Sequence, residues 1–326
     1  MKIHPMVRAL RALMVRALIA LCILAPPCLA QAPQAAHDHF NRGGSLYQKG
    51  NYEGAIAEFT KAIEISSRLD NRAGDLKNNT RFVGAASNFD NVKVLDPLAA
   101  SAYANRGLAR YQLGDYEGAI ADSSRALAIN PRLSDGYNTR GMARFIRKDL
   151  DGALLDLDRA IAIRPRDPEA YNNRGNVYAE KNDIDRALAD FDRAVSLNPR
   201  LPEVYYNRGL ARRRKDDFDG AMKDFNKAVS LNPRLASGYY GRATVMCDKS
   251  ELERAIVEFN RAIELNPRFV LAIANRGLAL LRQGKDAEAL KDFERVVELD
   301  PTLRTEVELK IEMVKRWRRE NPARAK

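Results

Sequence analysis

The sequence predicts an all-α fold, an α-solenoid of stacked helix hairpins, on three observations. A short phrase recurs: Asn105-Arg106-Gly107 returns as Asn173-Arg174-Gly175, Asn207-Arg208-Gly209 and Asn275-Arg276-Gly277, with variants Thr139-Arg140-Gly141 and Gly241-Arg242-Ala243. Its small residue falls at 107, 141, 175, 209, 243 and 277, one constant interval throughout. Pro131, Pro165, Pro199, Pro233, Pro267 and Pro301 keep the same spacing, and between these markers apolar residues recur at helical intervals. A fixed period of this kind means supersecondary units that bury their faces only by stacking on their neighbours.

Residues 1–30 read as a secretory signal. Lys2, Arg8, Arg11 and Arg16 precede the apolar run Ala17–Ala25; Pro26-Pro27 breaks it, and Cys28-Leu29-Ala30 offers a cleavage site. The expected location is therefore periplasmic or secreted, the alternative being a chain anchored in the membrane by an uncleaved segment. The run is short for a membrane span, and the prolines before Cys28 argue against a lipid anchor there. Of the net charge of +11, removal of these four cations leaves +7, a mildly basic remainder. Cys247 is then the one cysteine left, so no internal disulfide is expected, and it reads as a small packed residue.

Residues 31–35 read as a linker and 36–65 as a first hairpin, with Asn41-Arg42-Gly43, Tyr47, Gly50, Tyr52, Ala55, Phe59 and Ala62 in register. Its closing proline is missing; Ser66-Ser67 stand in that place. Residues 66–99 read as a worn hairpin, because Asn71-Arg72-Ala73, Phe82, Ala85, Phe89, Leu95 and Pro97 keep phase with Pro131. Gly74 and Asn78-Asn79-Thr80 make its first helix poor.

Six regular units follow, at 100–133, 134–167, 168–201, 202–235, 236–269 and 270–303. In the first, with positions counted from Ala100 as 1, Gly114 stops one helix in the left-handed conformation. Asp115 caps the next, and Asn130-Pro131 ends it, since a residue before proline leaves the α region. Position 20 is alanine throughout (Ala119, Ala153, Ala187, Ala221, Ala255, Ala289), and position 24 is large in Leu157, Phe191, Phe225, Phe259 and Phe293, with Ser123 the exception. Residues 304–326 read as a capping helix and basic tail, with Val307, Ile311, Val314 and Met313 or Trp317 on the apolar side.

Position 7 is arginine in all six units: Arg106, Arg140, Arg174, Arg208, Arg242 and Arg276. Position 23 is acidic in all six: Asp122, Asp156, Asp190, Asp224, Glu258 and Asp292. The reading is a repeated ladder in which each arginine reaches a carboxylate on the second helix. The alternative is an arginine laid along the surface with its stem packed.

Small residues at 8 and 20, aromatics near 4, 17 and 24, alanine at 27 and proline at 32 resemble the tetratricopeptide repeat family. The departure is arginine at 7, where the family usually has leucine. The resemblance implies a right-handed superhelix whose first helices line a concave groove at positions 2, 5, 6, 9, 12 and 13. Carried onto this chain, the groove residues are Asn41, Asn105, Tyr111, Asn138, Asn172, Asn173, Tyr206, Asn207, Arg213, Tyr240 and Asn275. Asparagine both donates and accepts, which suits an extended peptide backbone; the alternative is that these amides satisfy their own neighbours. The lysine with which some members clamp a peptide carboxylate is missing at position 5.

No catalytic constellation stands out. Gly277 to Gly284-Lys285-Asp286 has the wrong spacing for a phosphate loop. Asp149-Leu150-Asp151-Gly152 lacks the later ligands of a calcium loop, and His37-Asp38-His39 reads as an ordinary turn rather than a metal site. No cofactor or metal is expected, and no enzyme. The expected function is a non-enzymatic scaffold, monomeric, holding a protein or extended peptide in its groove. Arg212-Arg213-Arg214-Lys215 suggests a ligand that is acidic or has a free C-terminus. The rival is an anionic polymer, a polysaccharide or less favourably a nucleic acid, on the same basic groove. Membrane contact is expected only through an uncleaved signal.

Overall fold

The structure is a computed structural model and describes residues 32–78 and 97–320. The expected signal, the second half of the expected worn hairpin and the end of the tail lie outside the described residues. Fifteen α-helices are described, with no strand among them: α1 Ala32–Gln48, α2 Tyr52–Asn78, α3 Pro97–Gln112, α4 Tyr116–Ile129, α5 Ser134–Ile146, α6 Leu150–Ile163, α7 Pro168–Glu180, α8 Ile184–Leu197, α9 Pro202–Arg213, α10 Phe218–Leu231, α11 Ala236–Asp248, α12 Leu252–Leu265, α13 Val270–Arg282, α14 Asp286–Leu299 and α15 Arg304–Glu320, the last entered through a 3-10 turn, Pro301–Leu303. They pair in order into hairpins, and the fold is an all-α solenoid. Two compact units are distinguished, the first ending at Pro165 and the second beginning at Arg166.

The turn inside each hairpin is built as its residues dictate. Gly114 has φ 82°, and Asp115 accepts from the Gly118 N–H at 2.9 Å. Asp149, Asp183 and Asp217 cap α6, α8 and α10 in the same way. Where glycine is absent the chain still turns left-handed: Lys148, Asn182, Asp216 and Ser250 all lie at φ near 60°.

Between helices the core is a column of rings on glycine. Cβ atoms built on Gly175, Gly209 and Gly277 would stand 2.7, 2.7 and 2.9 Å from the rings of Phe191, Phe225 and Phe293. The large residue at position 24 therefore fills the hollow left at position 8 of its own hairpin. Ala187, Ala221 and Ala289, clustered with those rings, are fully buried. At Gly107 the opposing residue is Ser123, whose buried hydroxyl has no partner.

Two expectations are corrected. Residues 32–35 are helical rather than a linker, as the first turn of α1. The helix expected to end at Ile65 runs on as α2 to Asn78, because no proline stands there to stop it, and Asn71-Arg72-Ala73 lie within it. Ala55 and Phe59 pack with Ala109, and Ala62 and Ile63 with Ala102, so the first hairpin is stacked directly on residues 97–129. At the other end, Val307, Ile311 and Val314 of α15 cover Phe293 and Leu281. Met313 points outward, 70% exposed, and Trp317 lies under the Arg282 guanidinium, 5.6 Å from its ring centre.

Candidate functional site

The arginine–carboxylate pairs are the most repeated polar feature of both units. Arg106 Nε and Nη2 donate to Asp122 Oδ2 and Oδ1 at 2.7 and 2.8 Å, with the carboxylate fully buried. The same two-pronged geometry joins Arg140 to Asp156, Arg174 to Asp190, Arg208 to Asp224 and Arg276 to Asp292. Arg242 reaches Glu258 through Nη2 alone at 2.5 Å, and its Nε has no acceptor. A further rung joins Arg42 to Glu58 at 2.8 Å. Lys61, Arg42 and His39 around it hold the Glu58 carboxyl well down, to about 2.

Two features of this ladder were not read from the sequence. The third nitrogen of several of these arginines reaches position 25 of the hairpin before it: Arg140 to Ser124, Arg208 to Asp192, Arg276 to Asn260. Arg106 does the same to Thr60, 46 residues back, at 2.9 Å. Arg110, Arg144 and Arg212, at position 11, also bring a second guanidinium to Asp122, Asp156 and Asp224 at 2.8–3.0 Å. Position 25 is polar in every unit, but its residue type varies among them.

The ladder locks the hairpins, and the expected groove residues lie on the first helices. Neighbouring first helices touch, α1 with α3 and α3 with α5 in one unit, and α7, α9, α11 and α13 in sequence in the other. On the second unit's face the groove residues form lateral bonds. Asn207 Nδ2 donates to Asn172 Oδ1 at 2.9 Å, and Asn172 Nδ2 to Asn173 Oδ1 at 3.4 Å. Asn275 Nδ2 donates to the Tyr240 hydroxyl at 2.9 Å. Asn172, Asn207 and Asn275 keep capacity to spare, since an asparagine carries two N–H donors and two acceptor lone pairs.

That pattern breaks at α11. Gly241 stands where the other units carry asparagine or threonine, so the Tyr206 hydroxyl has no side chain to meet there. Its ring rests on Phe225, centroids 5.9 Å apart, and burial pushes its phenol up to about 12. Burial likewise raises Tyr240 and Tyr111, and it takes the half-buried Cys247 thiol to about 11. On the first unit's face Tyr111 packs on Tyr116, Asn105 and Asn138 are half-buried and Asn41 is exposed.

The residues of the basic run all have partners. Arg212 is on Asp224, and Arg213 clasps Asp248 with two bonds of 2.5 and 2.9 Å. Arg214 donates to the Ala179 carbonyl and Asn182, and Lys215 to Asp185. Arg213, Arg214 and Lys215 thus engage neighbouring repeats, the last two from exposed positions. Among the described residues no trio of metal-ligating side chains is gathered, and no helix is long and apolar enough to cross a membrane. Gly284 and Lys285 lie in the turn between α13 and α14, not within a helix.

Models described as tetratricopeptide repeat match residues 36–69, 72–134, 174–245 and 270–303, and one described as TPR repeat matches 141–182 and 244–284. The chain belongs to the tetratricopeptide repeat family. Among solved structures it resembles a tetratricopeptide repeat protein from Parabacteroides merdae ATCC 43184, with TM-score 0.62 and 17% identity over 86% of this chain and 99% of that one. It resembles Pseudomonas aeruginosa pilF, at 0.55 and 22% over 67% and 100%. It also resembles the APC/C hetero-tetramer Cut9–Hcn1, at 0.61 and 14% over 81% and 52%. At these identities the likeness is one of fold. No curated protein matches the chain. Within the tetratricopeptide repeat family the fold is typically that of a non-enzymatic scaffold for protein–protein interaction.

Proposed function

We propose that this tetratricopeptide scaffold binds an extended peptide across the first-helix face of the unit beginning at Arg166, without chemistry of its own. The observation that carries this reading is the row Asn172, Asn207, Tyr206, Tyr240 and Asn275. These groups are half-buried, held in place by lateral bonds and ring packing, and retain hydrogen-bonding capacity. Fixed polar groups on rigid helices suit a peptide main chain, whose donors and acceptors alternate. Tyr206, opposite Gly241, is the central contact in this reading. The protein acts outside the cytoplasm, in the periplasm or beyond, which rests on the basic and apolar character of residues 1–30. Sequencing the N-terminus of the protein recovered from its own cell envelope tests that point, and an intact N-terminus removes it.

A peptide library displayed on phage and selected on the full chain tests the binding reading. Selected peptides should bind Tyr206→Phe some three- to tenfold more weakly, the worth of one hydrogen bond. They should hold their affinity as salt rises. Failure to select any peptide sinks the reading, and so does equal binding to the variant.

A further inference from the structure

The two edges of the unit beginning at Arg166 carry charge in opposite ways. One edge is made by the turns inside hairpins, and its charges are neutralised across neighbouring turns. Lys215 Nζ donates to Asp185 and Lys249 Nζ to Asp219 at 2.5 and 2.6 Å, and Gln283 donates to Glu253 at 2.7 Å, each across 30 residues. The other edge is made by the loops between hairpins, and its charges are left open. Arg166, Arg200, Arg234 and Arg268 recur there, once per repeat and at one register. All four are exposed, and no ion pair or side-chain hydrogen bond engages their guanidinium groups among the described residues.

The loops present these arginines rigidly. The N–H groups of Arg200, Arg234 and Arg268 donate to Asn198, Asn232 and Asn266 Oδ1 at 3.0–3.1 Å. The next residue, Leu201, Leu235 or Phe269, is the half-buried N-cap of the following helix. One arginine per hairpin makes a line of cations whose spacing is set by helix stacking, on the order of 10 Å. Exposed carboxylates nearby, Glu169 and Glu203, give way to Ser237 and Leu271 at the same position of α11 and α13, so the row is most purely basic at Arg234 and Arg268.

We propose that this loop edge is an electrostatic docking surface for a bilayer of anionic lipid. A line of fixed cations at loop tips meets a flat anionic surface along its whole length. Single-stranded nucleic acid would call for exposed aromatic rings between the charges, and the residues beside these arginines are prolines, Asp167, Leu201, Leu235 and the half-buried Phe269. Apart from Leu271, exposed on the first turn of α13, contact is by charge. The proposal is independent of the peptide face, which lies on the first helices.

The test is co-sedimentation of the full chain with vesicles of phosphatidylcholine containing phosphatidylserine, against phosphatidylcholine alone. The second arm reads any contribution of Ala17–Ala25. The wild type should favour the anionic vesicles and lose that preference as salt rises. Each arginine contributes about fivefold in partition, so R200Q/R234Q/R268Q should lose about a hundredfold and R234Q alone about fivefold. A control, R147Q/K215Q/K249Q, removes as many cations from paired turns and should keep binding within about threefold. Equal loss in both triple variants would mean that net charge alone acts, and would overturn the proposal. So would indifference to phosphatidylserine, or retention on heparin without vesicle binding, which assigns the row to a soluble polymer.

Discussion

Asp122 shows what one rung of the ladder carries. It is fully buried and receives Arg106 with two bonds and Arg110 with a third. Removing one member of a buried ion pair strands the other, at about 3–5 kcal/mol. Asp122→Ala should therefore cost that much in denaturant unfolding, and a loss below about 1 kcal/mol would show the pair to be solvated and weak. Glu58 makes the corresponding rung pH-dependent. Its carboxyl is depressed from 4.5 to about 2, so its contribution is complete above pH 4.5 and lost as the pH falls from there toward 2. Melting temperatures followed through that window should drop more steeply for the wild type than for Glu58→Gln; parallel curves would refute the assignment. Position 7 and position 23 were legible in the sequence because both repeat without exception, at a constant separation. The partners at 25 and 11 were not, because their chemistry varies from Thr60 to Ser124 to Asp192, and from Arg110 to Tyr178 to Leu280.

Helix ends follow local chemistry more faithfully than packing does. Asp115, expected as an N-cap, accepts a backbone N–H, and Asp149, Asp183 and Asp217 do the same at the corresponding positions. The turn before α12 departs from this pattern, with Ser250 at φ 63° and Glu251 making no side-chain cap. A non-glycine residue in the left-handed region costs about 1–2 kcal/mol, part of which glycine returns as unfolded-state entropy. Ser250→Gly should stabilise the protein by up to about 1 kcal/mol in equilibrium unfolding. A destabilised variant would mean that the Ser250 side chain makes a contact worth more than the relief. The over-run of α2 had its cause in plain view, since Ser66-Ser67 replace the stop signal. Asn71-Arg72-Ala73, in phase with the later repeats, lie within this longer helix.

On the scale of the molecule, each unit is built from one joint used repeatedly, in which the second helix of a hairpin receives the first helix of the next. The fold class was readable because each joint is written into its own repeat, and no long-range pairing had to be guessed. The peptide face was less readable. The lateral bonds from Asn172 to Asn207 and from Tyr240 to Asn275 link residues 35 apart, a spacing visible only once neighbouring first helices are set side by side. The engagement of Arg213 with Asp248 is hidden for the same reason. The joint between α2 and α3 has the ordinary form, with Arg106 on Thr60 as Arg140 is on Ser124, although 46 residues separate the first pair and 16 the second.

The difference between those two separations equals the length of segment 66–95, and excising it would bring Ile65 directly before Asp96-Pro97. The spliced chain reads as an unbroken unit with a proline where the first hairpin lacked one. It should melt within a few degrees of the parent, since closing so long a bridge between fixed ends costs only a few kcal/mol. Loss of folding in the spliced chain would mean that the excised segment props the joint. Retention would mean that neighbours in this array recognise one another by surface, so that foreign sequence can be lodged between the first hairpin and the second without unseating either.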